Sequence, residues 1–206
     1  MDHLTLSFFG AFQATLGDRP LTAFRSAKVQ GILVYLVLTQ QPQTREGLAA
    51  LFWPDEPEAV AKQNLRQSIF RLRQVLGDAD AQPAPYLLVT RLTVQFNAAS
   101  DHVLDVAAFL SDLNRAQLEP AVTWYRGELL PGFTCDSLPF DEWLQQERER
   151  LHRLALGALF ELADYSLARA DYPKAQSLAR QQLAWEPWRE EAHQQLMRPH
   201  SPYLDQ

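Results

Sequence analysis

The chain has 206 residues, 47% of them hydrophobic, which suits one or two domains with a sizeable core. The longest apolar run, 31–38, is too short to span a bilayer, no basic-then-apolar leader opens the sequence, and the single Cys135 excludes an internal disulfide, so a cytoplasmic protein is expected. The net charge of −6 speaks against a nucleic-acid surface over the whole molecule, but it is uneven: residues 1–96 carry nine Lys+Arg against eight Asp+Glu, residues 97–206 ten against seventeen.

Leu4-Thr5-Leu6-Ser7-Phe8 alternates apolar and polar as a half-buried strand does. Residues 12–16 read as a second strand with Gly17-Asp18 as its turn, and 21–24 as a short third, so a small antiparallel sheet is expected. Ser26 suits the N-cap of a helix running to about residue 38, with Val29, Ile32, Leu33, Leu36 and Val37 inward. Arg25 and Lys28 lie at its start, where cations oppose the helix dipole; they either meet a phosphate or are exposed cations with no partner. After a turn at 40–43, Thr44 caps a short helix over 45–53, with Leu48, Leu51 and Phe52 inward, and Asp55-Glu56-Pro57-Glu58 forms an acidic loop.

Residues 58–76 are the centre of this half. Ala61, Leu65, Ser68, Ile69, Leu72, Val75 and Leu76 recur at helical spacing as one small or apolar stripe. The other side carries Lys62, Gln63, Asn64, Arg66, Gln67, Phe70, Arg71, Arg73 and Gln74. Arg can fork onto guanine, Asn and Gln onto adenine, and any cation onto phosphate. Pro57 pre-sets the first turn and Gly77 supplies the stop. Alone, this helix reads equally as a solvated basic face. A loop over 77–85 follows, then two strands, 86–90 and 92–96, with Arg91 at or near the tip. Helix, turn, basic-faced helix and hairpin is the order of a winged helix, whose second helix enters the major groove.

A polar link over 97–103 marks the expected domain boundary, and the rest reads as helix: 105–116, 118–130, 141–168, 172–185 and 188–197. Leu159, Leu162, Ala163, Tyr172, Ala175 and Pro187 fall where a tetratricopeptide unit wants them, while Ser166 departs from that pattern. Leu159, Leu162, Trp185 and Trp188 are expected in the bundle core. The fold class is α+β: an N-terminal winged helix-turn-helix over 1–96, then an all-α tetratricopeptide-like bundle over 104–198. No hydrolase elbow, phosphate loop, dinucleotide fingerprint or zinc-protease motif occurs, and the five histidines lack ligand spacing, so neither an enzyme, a metal site nor a cofactor is expected. The alternative is a protein–protein interaction module without DNA binding.

Several stretches resemble one family. Leu51-Phe52-Trp53-Pro54-Asp55, Ala61-Lys62-Gln63-Asn64-Leu65-Arg66-Gln67, Arg71-Leu72-Arg73 and Leu76-Gly77 resemble the DNA-binding half of SARP-type bacterial regulators, a winged helix similar to the OmpR/PhoB class. Leu104-Asp105-Val106 with Phe109, Trp124-Tyr125-Arg126-Gly127, Leu129-Leu130-Pro131-Gly132, Trp143 and Glu186-Pro187 with Glu190-Glu191 resemble that family's bacterial transcriptional activator domain. The resemblance implies a transcription factor that binds double-stranded promoter DNA, as paired protomers on direct repeats, and recruits RNA polymerase. By the match, Gln63, Asn64, Gln67 and Arg71 face the groove, with Ser68 marginal; Lys62, Arg66 and Arg73 flank them at phosphates; Arg91 takes the wing-tip role. Arg25, Lys28, Thr44, Arg45 and Gln74 complete the expected DNA-binding set. The loop with Asp55, Glu56 and Glu58 matches the segment that touches polymerase. Residues 1–96 are expected to bind DNA alone, though weakly. After Met197 the family continues into another helical pair, whereas Arg198-Pro199-His200-Ser201-Pro202 breaks any helix, so the last repeat is expected to be missing.

Overall fold

Strand β1 (Leu4–Ser7) buries Leu4 and Leu6 and leaves Thr5 and Ser7 half-covered, the alternation its sequence demands. It pairs antiparallel with β2 (Gln13–Leu16), which pairs with the two-residue β3 (Arg19–Pro20). The computed structural model describes residues 3–79 and 86–197. The latter part of the predicted 77–85 loop and the Arg198–Pro202 break therefore lie outside the described residues.

Ser26 does cap α1 (Ala27–Thr39), its Oγ accepting from the Val29 N–H. Val29, Ile32, Leu33, Val34, Leu36 and Val37 are fully buried. Gly31 is what allows so close an approach: a Cβ there would stand 3.1 Å from Phe52 and 3.4 Å from Phe140. The two-residue β4 (Gln43–Thr44) leads into α2 (Arg45–Phe52), capped by Thr44 Oγ1 on the Gly47 N–H at 3.0 Å. α3 (Glu58–Val75) follows, and Gly77 closes it at φ +76°, a conformation glycine adopts without strain. All the predicted inward residues of α3 are buried except Val75, which is half-covered. β5 (Leu87–Val89) and β6 (Thr93–Phe96) form the hairpin, and the second sheet runs in the order β4-β6-β5.

The expected link is partly a strand. β7 (His102–Leu104) pairs parallel with β1, giving the first sheet the order β3-β2-β1-β7. Directly after it comes α4 (Asp105–Asn114), then α5 (Leu118–Trp124), α6 (Leu138–Ala168), α7 (Tyr172–Trp185) and α8 (Glu190–Met197). Several bounds differ from expectation; α4 ends at Asn114 rather than 116 and α6 starts at Leu138 rather than 141. The third strand is at 19–20 rather than 21–24. α5 stops at Trp124 instead of residue 130, because Tyr125 turns out of the helical region and Leu129 bridges to Phe9. α8 starts at Glu190, leaving Trp188 94% exposed rather than in the core.

The chain divides into two compact units, Met1–Ala107 with Gly127–Arg148, and Ala108–Arg126 with Glu149–Gln206. Residues 127–148 are thus integral to the winged-helix unit. Asp105, buried, accepts from the Phe8 N–H at 2.9 Å and the Phe9 N–H at 3.0 Å. Arg148 donates to the carbonyls of Leu129, Leu130 and Phe133. Ser137 Oγ donates to the Leu51 carbonyl. In the second unit, Leu151, Leu156, Leu159 and Leu162 of α6 and the small Ala175 and Ala179 of α7 are buried. Ser166 fits where a large residue was wanted: it is buried, and its hydroxyl returns to the Leu162 carbonyl at 2.8 Å. Gln182 and Gln195, both buried, bond each other at 2.9 Å.

Candidate nucleic-acid interface

The candidate surface is the side of α3 turned away from its apolar stripe. Gln63, Gln67, Arg71 and Gln74 are exposed there and Asn64 is half-buried. Gln63, Gln67, Arg71 and Gln74 follow one another at three or four residues, so they share one face of the helix, with Asn64 at its edge. Asn64, Gln67 and Arg71 line a cavity of about 300 Å³ with Ser26, Lys28, Trp53, Ser68, Cys135 and Asp136.

A second concavity, about 360 Å³, joins α2, α3 and the hairpin. It is lined by Thr44, Arg45, Glu46, Lys62, Leu65, Arg66, Arg91 and Leu92. Four cations thus converge from three elements. The hairpin tip is held in place: Thr90 N–H donates to the Thr93 carbonyl and Thr93 N–H to Thr90 Oγ1, each at 2.9 Å. Arg45 anchors that tip to the start of α2 by giving Nε and Nη2 to the Thr90 carbonyl, at 3.1 and 3.0 Å. Arg91 and Leu92 stand exposed at the end of it.

The predicted cations divide into open and engaged groups. Arg25, Arg66, Arg71 and Arg91 are exposed. Lys28 donates to the Phe52 carbonyl at 2.6 Å and the Asp136 carbonyl at 2.9 Å and sits 5.6 Å over the Trp53 ring; it satisfies the C-terminal end of α2 instead of standing free for phosphate. Lys62 is bound by Glu58 at 2.5 Å and Glu46 at 3.2 Å, and these hydrogen bonds raise its pKa while lowering that of Glu58. Arg73 donates to the Asp78 carbonyl at 2.8 Å. Asp78 in turn accepts the N–H groups of Tyr86 and Leu87, and burial pushes its carboxyl pKa up. This cluster ties the end of α3 to the hairpin. Thr44 is committed to its cap.

Residues 101–201 match the family model for the bacterial transcriptional activator domain. That stretch makes up just under half of the chain. The fold is similar to that of Mycobacterium tuberculosis EmbR, solved in complex with a low-affinity phosphopeptide, with a TM-score of 0.77 at 18% identity over 95% of this chain and 54% of that one. The present chain therefore spans about half the length of that protein. No curated protein sequence matches it.

The acidic loop also has a shape. Asp55, Glu56 and Glu58 are exposed, and Glu56 and Glu58 line a concavity of about 500 Å³ with Ala49, Ala50, Trp53, Pro54 and Ala61. Asp136 and Cys135 line the same cavity as Asn64, Gln67 and Arg71 without any local pattern to announce it; Asp136 meets Lys28 across 108 residues. The Cys135 thiol is pushed up to about 12, chiefly by burial. None of the helices among the described residues is long and apolar enough to cross a membrane.

Proposed function

We propose that this chain is a SARP-type regulator, a sequence-specific, DNA-binding transcriptional activator. The observation that carries this reading is the open side of α3. It presents two carboxamides and a guanidinium (Gln63, Gln67, Arg71), with Asn64 beside them, next to a groove where Arg45, Arg66 and Arg91 meet. In the proposed complex, α3 enters the major groove of promoter DNA and these side chains read base edges. Arg66, Arg91 and Arg25 meet phosphates, and Lys28, Lys62 and Arg73 contribute mainly by shaping the surface. Protomers pair on direct repeats, and the loop with Asp55, Glu56 and Glu58 offers carboxylates to a basic surface of RNA polymerase. The helical unit, drawn from the acidic half of the sequence, serves protein contacts.

The test is a titration of the full chain on genomic fragments flanking its gene over a range of salt. Binding is expected to favour particular fragments and to weaken steeply with salt, as counterion release requires. Arg91→Ala should weaken binding equally on every sequence and lower the salt slope by about one. Salt-independent binding, or none, would leave the protein-interaction reading in its place.

A further inference from the structure

On the outer side of α3, amid carboxamides and guanidinium groups, stands one exposed aromatic ring; the exposed Val60 lies nearly three turns earlier. Phe70 is 58% exposed. It follows Arg66 by four residues and Gln67 by three and precedes Gln74 by four, so it shares their face. A helical Phe leans toward the N-terminus, which lays its ring over the turn that carries Arg66 and Gln67. From Gln63 to Phe70 the helix rises roughly 10 Å, the span of about three base pairs.

We propose that Phe70 is a specificity-determining residue whose ring packs against the C5-methyl group of thymine in the major groove. This rests on the DNA-binding reading above. The surroundings choose the occupant. A hydrophobic protein partner seated on Phe70 would bury Gln67, Arg71 and Gln74 beside it without matching their donors and acceptors, at a cost in unmade hydrogen bonds. The floor of the major groove satisfies those groups and offers one apolar feature, the thymine methyl. Phe70 carries no charge and no polar atom, so it contributes nothing to phosphate contact.

Sites are first enriched from random duplexes with the full chain. Each thymine of the enriched site is then replaced singly by deoxyuridine, which pairs identically but lacks the methyl group. One position should weaken wild-type binding roughly fourfold, the effect of one buried methyl. In Phe70→Ala the thymine-to-uracil ratio at that position should fall to about one with the salt slope unchanged, and Phe70→Leu should keep part of the preference. Indifference of the wild type to uracil at every position overturns the proposal. So does a ratio that survives in Phe70→Ala, or a Phe70→Ala loss that no uracil substitution reproduces, which would place the ring on sugar. A chain that enriches no sequence overturns the DNA-binding reading and this one with it; a chain that enriches a site yet ignores uracil overturns this one alone.

Discussion

Arg71 and Arg73 are two residues apart on one helix and are spent differently. Arg73 gives a guanidinium nitrogen to the Asp78 carbonyl, whereas Arg71 is exposed beside Asn64 and Gln67. Arg71→Ala should therefore cost roughly 1–3 kcal/mol on an enriched site and much less on random DNA. Competition binding measures the ratio, and equal losses on both would leave Arg71 a phosphate contact. Cys135 behaves as a small packed residue: buried, and with its thiol pushed up to about 12, it stays protonated at neutral pH. At pH 8 a thiol-specific reagent should label the native chain roughly a thousandfold more slowly than the denatured one, because the thiolate is the reacting form. Comparable rates would show that the thiol is neither buried nor shifted.

At the scale of the element, the start of α3 combines the candidate recognition face with its own counter-charge. Lys62 is held between Glu58 and Glu46. The Lys62 hydrogen bond lowers the Glu58 pKa, so the pair is complete above the ordinary carboxylate range and is lost as pH falls through the lowered value. Glu58→Gln removes one carboxylate from Lys62 at all pH values. We expect it to raise DNA affinity roughly threefold at low salt and to steepen the salt dependence, with folding nearly unchanged because the pair lies at the surface. Salt-series anisotropy on a single-site duplex reads both; unchanged affinity and slope would mean that Lys62 never reaches the backbone.

At the scale of the whole molecule, the winged-helix unit draws on residues beyond its hairpin. A chain ending at residue 96 loses β7 from the first sheet, the Asp105 carboxylate from Phe8 and Phe9, and Phe140 and Cys135 from the floor beside Gly31. Each buried N–H left unpaired costs about 1–3 kcal/mol, a large share of the ~5–15 kcal/mol that holds a domain together. On these contacts we expect residues 1–96 not to bind DNA alone, contrary to the reading from sequence. That fragment should melt without a cooperative transition in circular dichroism and show no site preference. A sharp melt with retained preference would make residues 97–148 dispensable.

What could be read along the chain was whatever short-range physics governs. Ser26 and Thr44 cap α1 and α2 through bonds to N–H groups three residues away, so their signal is local. The stripe of α3 repeats every turn, and the hairpin follows from alternation on either side of Arg91. Which side of α3 is open was equally legible, since burying one stripe leaves its opposite to solvent. The occupation of each charge was not. Lys28 meets a carbonyl 108 residues away, and Asp105 receives Phe8 across 97, pairings set by how distant segments come together and marked by no spacing. α5 ends early because Leu129 is claimed by Phe9, a competition that helix propensity does not contain. Periodicity and caps reach a turn or two along the backbone, whereas hydrogen-bond and charge partners are chosen in space. The helices and their faces therefore followed from the order of residues, and only folding selected which cations remain free.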